Sequence, residues 1–314
     1  MAAVASLSEW RPRVAAEIRR LGRAFTPDIL AETYALYEPL QREAARTTAL
    51  RHRDIAYGDH PRQVLDVYTP QGSEGRRPIV IYVHGGGFVG GERSPCPGLI
   101  YDNVPIFFAR HGVLGLNMTY RLAPDYIWPM GALDVGMAVA WARGNAERFG
   151  GDPDKIFLMG QSAGATHVAT WAFVPGVHGP GGPAVAGVVL LSGVYAPSHP
   201  LYHPAAPQPH QIAYFGADPE KWAEMSPLTH VRPGHPEVFV SVTEFDPPGL
   251  QWSSPALVAE LFRCDRRMPW FVYARDHNHV SPAMQVNLAG DPLGPDILRF
   301  ICETCDEPKR DSYA

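Results

Sequence analysis

Two glycine-framed segments hold the residues best suited to chemistry. The first, Gly160-Gln161-Ser162-Ala163-Gly164, follows an apolar run at residues 155–159 and opens a helical pattern over residues 163–173. A strand that turns sharply into a helix crowds its own backbone. Glycines two residues either side of the serine relieve that crowding and leave the hydroxyl projecting above the strand end. The helix N-terminus beneath it favours negative charge. The second segment, His84-Gly85-Gly86-Gly87-Phe88, follows an apolar run at residues 78–83. Consecutive glycines let backbone amides approach a ligand with no Cβ between them. The amides of Gly86 and Gly87, with that of Ala163, are therefore the candidates for holding a tetrahedral oxyanion. The glycine loop precedes the serine by about seventy-five residues, as expected if both sit above the carboxyl ends of neighbouring strands. Together they predict Ser162 as a nucleophile toward an acyl carbon.

A serine nucleophile needs a base and a group to orient that base. After the run 270–273 comes Asp276-His277-Asn278-His279-Val280-Ser281, which offers two histidines. An ordinary imidazole, with a pKa of ~6.5, both takes and returns a proton at neutral pH. After the run 237–242 comes Thr243-Glu244-Phe245-Asp246-Pro247-Pro248, which offers Asp246 and Glu244 as the orienting acid. His84 reads as a brace for the glycine loop. His178, His199, His203, His210, His230 and His235 lie in proline-rich loops without metal-ligand spacing, so no metal is expected. The isolated glycines form no phosphate loop and no cofactor is implied.

The elements that must position these residues alternate. Trp10, Val14 and Ile18 recur every four residues, and Thr26-Pro27-Asp28 supplies a second helix start, so residues 1–50 read as a helical cap segment. Residues 54–57 and 64–68 form an opening hairpin around a turn. Strands then fall at 78–83, 113–120, 155–159, 185–191, 237–242 and 270–273. Helices fall at 132–149, 163–173, 256–262 and from 296 onward. Alternation of this kind predicts an α/β fold, a mostly parallel central sheet with helices on both faces, over residues 51–314. Residues 196–236 interrupt it with a proline- and histidine-rich insertion, helical only near Trp222, which reads as a lid or pocket wall at one edge of the sheet. Its Tyr202, Tyr214, Phe215 and Trp222 are expected to wall a compact pocket.

At this point the chain resembles the hormone-sensitive-lipase and carboxylesterase branch of the α/β-hydrolases. Besides the two glycine segments, Tyr120-Arg121-Leu122-Ala123-Pro124-Asp125 and the run from Trp128-Pro129 through Asp134 to Trp141 are similar to that branch. The resemblance spans roughly residues 60–300. It implies a catalytic triad of Ser162, Asp246 (the acid just before a proline) and His279 (the histidine followed by an apolar and a small polar residue). His277 then becomes a loop or pocket residue. Gln161 stands where an acid is usual, and Ala165 where a further glycine is common. With Tyr214-Phe215-Gly216 and Ser226-Pro227-Leu228, these lean toward kynurenine formamidases and feruloyl-type esterases. The implied activity is serine hydrolysis of carboxylic esters of small or aromatic acyl groups through an acyl-enzyme. An amidase or arylformamidase is the alternative, and a non-catalytic ligand receptor on the same fold is a more distant one.

Composition narrows the partners. The 314 residues carry a formal net charge of -5, which gives no reason to expect nucleic acid or an anionic membrane. No run of about eighteen apolar residues exists, so no transmembrane helix is expected. Residues 1–7 are apolar but lack the features of a signal peptide. Four cysteines are too few for a disulfide framework, and Cys302-Glu303-Thr304-Cys305 closes a helix instead of opening one, so all four read as ordinary thiols. A cytoplasmic enzyme acting on a small-molecule ester or amide follows, with room left for a homodimer.

Overall fold

The apolar runs become one eight-stranded sheet in a computed structural model, which describes residues 7–44, 50–72, 75–203 and 206–306. Residues 1–6, most of the stretch weighed above as a signal peptide, lie outside the described residues. The strands are β1 (Leu50–Ala56), β2 (Val64–Thr69), β3 (Arg77–Val83), β4 (Leu114–Met118), β5 (Gly151–Gln161), β6 (Gly187–Leu191), β7 (Glu237–Phe245) and β8 (Trp270–Asn278). Their spatial order is β1-β2-β4-β3-β5-β6-β7-β8. β2 pairs antiparallel with β1 and β4, and every other pairing is parallel. The parallel strands read as continuous apolar runs because both their faces are covered. Ile79, Ile81, Leu158 and Val188 are buried on one face, and Val80, Tyr82, Phe157 and Val189 on the other.

The helices are α1 (Leu7–Leu21), α2 (Pro27–Ala44), α3 (Asn103–Arg110), α4 (Met130–Asn145), α5 (Ala163–Phe173), α6 (Pro175–His178), α7 (Pro209–Phe215), α8 (Pro248–Asp265), α9 (Ser281–Gln285) and α10 (Gly294–Asp306). α4, α5 and α8 cover the first face with Val135, Val139, Val168 and Leu257. α1, α2, α3 and α10 cover the second with Trp10, Ile18, Tyr37, Phe108 and Phe300. α2 also reaches the segment beyond β8 through buried polar groups. Gln41 Nε2 donates to the carbonyls of Met284 and Val286, each at 2.7 Å, and Asn278 Nδ2 donates to Thr33 Oγ1 at 2.9 Å.

Three of the differences from the sequence reading bear on how the site is framed. α3 was not anticipated, because Pro105 interrupts its short pattern. The proline occupies the first turn, where a missing N–H is no loss. β8 runs on to Asn278, since its polar end still pairs with β7 through Phe245. The insertion holds α7 and two 3-10 turns, Pro219–Ala223 and Pro227–His230, each opened by a proline in its first turn. Because β6 and β7 are neighbours inside the sheet, this segment does not lie at a lateral edge. It packs Tyr214, Phe215 and Trp222 against Phe88, Ala123 and Ala163 above the carboxyl ends of the strands.

Candidate active site

The strand order reverses between β3 and β5, where the chain leaves one half of the sheet for the other. Loops beyond that point diverge and leave a crevice, the natural seat for a ligand in an open α/β sheet. Both glycine segments emerge there, since Val83 and Gly160 are register partners. They also touch. A Cβ on Gly85 would lie 2.4 Å from Gln161 Oε1 and 3.1 Å from Ser162 Cβ. A Cβ on Gly164 would lie 2.1 Å from the Val83 carbonyl. Backbone approach therefore requires glycine at Gly164, while a side chain at Gly85 would have to displace the end of Gln161.

Ser162 has φ +56° and ψ −122°, a conformation that costs an L residue about 1–3 kcal/mol and that a sharp strand-to-helix turn imposes. Two bonds hold it: its N–H donates to the Leu191 carbonyl at 2.8 Å, and its carbonyl accepts from Thr166 N at 3.1 Å. Gly86 (φ +135°) and Gly87 (φ +59°) also occupy left-handed backbone, and Gly86 O accepts from Gly90 N at 3.0 Å. Ala163 is the first residue of α5, so its amide belongs to the turn of N–H groups that has no partner within the helix.

A line of hydrogen bonds runs away from the serine. Ser162 Oγ and His279 Nε2 are 2.8 Å apart, and His279 Nδ1 and Asp246 Oδ1 are 2.7 Å apart. A carboxylate only accepts, so Nδ1 carries the proton and Nε2 offers its lone pair to the serine hydroxyl. Asp246 Oδ2 accepts from Ser192 Oγ and from Thr243 N, both at 2.7 Å. Asp246 is fully buried, His279 is 3% exposed and Ser162 9% exposed, so this line is dry except at its serine end.

The rival candidates go elsewhere. His277 turns from the serine toward α1 and α2, with its Nδ1 2.8 Å from Ser281 Oγ, and burial lowers its pKa to about 4. Glu244 accepts from Asp276 N at 2.8 Å and bonds neither histidine. His84 is buried, stacks on Tyr120 at 4.5 Å and donates from Nδ1 to the Gly85 carbonyl at 2.6 Å. Burial holds its pKa down to about 3, so it braces the loop as a neutral ring.

Several residues around the site were given no role there by the sequence reading. Gln161 Nε2 donates to the His279 carbonyl at 3.0 Å, which ties the elbow to the histidine loop. Ser192 supports Asp246, and its place just after a strand end was the available clue. His167, on α5, is buried beneath Phe88 and Tyr214, and burial lowers its pKa to about 3. His210, assigned to a loop, opens α7 with its ring 3.6 Å from where a Cβ on Gly87 would stand. At the far end of α8, ligand atoms of His235, Cys264 and Asp265 come within 4.8 Å of one another, with His235 and Asp265 paired at 3.0 Å.

A mostly parallel sheet with a serine at the β5–α5 turn, an acid just beyond β7 and a histidine just beyond β8 is the α/β-hydrolase arrangement, and this chain has that fold. The family model described as BD-FAE matches residues 65–176. The chain is 35% identical over 165 residues to the esterase LipC of Mycobacterium tuberculosis, covering 47% of this chain and 40% of that protein. It is 31% identical over 226 residues to LipQ, another esterase of that organism, covering 67% and 51%. It thus spans about half the length, or less, of these curated relatives. The hyperthermophilic esterase of Pyrobaculum calidifontis superposes with a TM-score of 0.71 at 22% identity, over 94% of this chain and 98% of that one. At that identity the likeness shows the fold, while the sequence matches support the hormone-sensitive-lipase-like carboxylesterase resemblance. No helix among the described residues is long and apolar enough to cross a membrane.

Proposed function

We propose that this protein is a serine carboxylesterase that cleaves esters of small or aromatic acyl groups. The observation that carries this reading is the buried line from Ser162 through His279 to Asp246, with contacts of 2.8 and 2.7 Å, beside the loop whose Gly86 and Gly87 are left-handed. Ser162 Oγ attacks the carbonyl carbon as its proton passes to His279 Nε2. Asp246 stabilises the imidazolium that forms. The amides of Gly86, Gly87 and Ala163 donate to the oxyanion. When the tetrahedral centre collapses, the bond to the alcohol oxygen breaks and His279 returns the proton to that oxygen. Water, deprotonated by His279, then attacks the acyl-enzyme and Ser162 regains its proton. Every group this sequence uses is a side chain or amide of the chain itself. The setting we propose is the cytoplasm, where the unpaired Cys96, Cys264, Cys302 and Cys305 stay reduced.

The insertion's aromatic residues bear on acyl size. Tyr214, Phe215 and Trp222, which the sequence reading expected with Tyr202 to wall a compact pocket, are at most 3% exposed and pack tightly beside the glycine loop. Short acyl chains are accordingly favoured over those beyond about ten carbons. The decisive experiment is labelling by a fluorophosphonate probe, which should occur on Ser162 and vanish in Ser162→Ala. An intact protein that does not label removes the mechanism. A rate that climbs steadily to palmitoyl p-nitrophenyl esters removes the size assignment. Faster turnover of N-formylkynurenine than of any ester moves the enzyme to the arylformamidase class.

A further inference from the structure

The turn joining α1 to α2 crosses the site on its histidine side. The Phe25 ring meets the His279 imidazole edge to face, with centroids 4.8 Å apart at 77°. Its neighbours there are buried, with Asp246 at 0%, His279 at 3% and Val280 at 4% exposure, yet Phe25 is 44% exposed. An aromatic surface therefore stands open to solvent directly against the ring of the triad histidine. The turn is fixed, not loose. Gly22 adopts φ +66° and its N–H closes α1 on the Ile18 carbonyl at 2.9 Å. Arg23 Nη1 donates to Gln251 Oε1 at 2.6 Å and to the Asp246 carbonyl at 3.4 Å, and Arg19 pairs with Asp276 at 2.7 Å.

The chemistry says which part of a substrate must lie there. The imidazole that takes the serine proton has to return it to the departing oxygen, so the alcohol half of an ester sits beside His279. The carbonyl oxygen points instead toward Gly86, Gly87 and Ala163, on the side where Phe88, Tyr214 and Phe215 pack. Resting on the serine-esterase reading, we propose that Phe25 is the specificity-determining wall of the leaving-group subsite and selects esters of aromatic alcohols. A ring in the alcohol meets an exposed ring already held in place, an offset or edge-to-face pair that a saturated group of equal size does not form.

The test compares benzyl acetate with cyclohexylmethyl acetate, which share an acyl group and differ little in size, on the wild type, Phe25→Ala and Phe25→Leu. The wild type should favour benzyl acetate. Both variants should lower the benzyl-to-cyclohexylmethyl ratio of kcat/KM by about fivefold, mainly through KM, because an aromatic pair contributes on that order. A parallel series of ethyl esters with two-, four- and six-carbon acyl chains should keep its order in all three proteins. A ratio unchanged in both variants overturns the proposal, as does a reordered acyl series with the alcohol ratio unmoved. Fluorophosphonate labelling accompanies each assay. If the variants label normally while the ratio stays fixed, the Phe25 assignment falls alone, whereas a wild type that never labels removes the serine-esterase reading beneath it.

Discussion

His277 and His279, two residues apart, are predicted to differ sharply in what their loss does to turnover. His279→Ala removes the group bonded to both Ser162 and Asp246, so kcat should fall by about three orders of magnitude or more. Its stability should fall too, since His279 is 3% exposed and its loss leaves the buried Asp246 without that partner, so kcat is the readout that separates the two variants. His277→Ala instead empties a 5% exposed position and strips Ser281 Oγ of a 2.8 Å partner. A lost buried hydrogen bond and a cavity the size of an imidazole together cost about 2–4 kcal/mol. In a chain of 314 residues that lowers Tm by roughly 3–6 °C, while kcat/KM should fall no more than about tenfold. The assay is a matched pair of measurements on each purified variant: steady-state hydrolysis of p-nitrophenyl acetate, and thermal unfolding followed by circular dichroism. A His277→Ala protein that is as stable as wild type but inactive would refute the reasoning, since the two rings would then have exchanged roles.

Other perturbations follow from the same geometry. Asp246→Asn should cut kcat by about 10³–10⁴, because an amide facing Nδ1 favours the wrong tautomer, whereas Ser192→Ala, with the His279–Asp246 bond intact, should cost about tenfold or less. If the two variants prove equally impaired, the division of labour around Asp246 is wrong. Gly86→Ala should abolish activity, since its Cβ would stand 2.0 Å from the Gly90 carbonyl, while Gly87→Ala meets nothing nearer than 3.6 Å and pays only for its positive φ. Equal kcat values for those two variants would contradict the steric argument. Burial lowers the pKa of His84 and His167 to about 3 and of His277 to about 4. The unfolded chain therefore takes up protons first, and stability should be full above about pH 6.5 and fall by roughly 1 kcal/mol per pH unit per histidine down to about pH 4. Urea midpoints that stay level between pH 7 and 4.5 would show that these rings are not buried neutral.

The serine and the glycine loop were legible because their signal is local. A nucleophile turn is recognised from the strand before it and the helix after it, all within about twenty residues. The residues alone left both histidines open; the resemblance favoured His279, and the physical reason for that choice lies in the backbone. Residues two apart in a strand share a face, so His277 and His279 would point together had β8 simply continued. Asp276 instead adopts φ +61°, the β7–β8 register shifts between Thr243 and Phe245, and the strand ends at Asn278. These leave His277 facing the N-terminal helices and His279 facing Ser162. No periodicity in the sequence encodes that break. The contacts of Ser192, Gln161 and Phe25 were missed for a related reason: each has its partner far along the chain. Among the elements, α3 was hidden by Pro105. The insertion's prolines, read as loop formers, proved to open helical turns.

The links between α2 and the segment after β8 bear on how the protein is made. Thr33 and Gln41 leave the ribosome well before their partners Asn278, Met284 and Val286, which follow 243 to 245 residues later. α1 likewise lies against β8, the last strand to be synthesised. A nascent chain therefore carries the apolar stripe of Trp10, Val14 and Ile18 without part of its native cover for most of its synthesis. The segment that carries the triad histidine gains its packing against α1 and α2 only once residues 270–286 have been made, so the base is among the later parts of the site to be set in place.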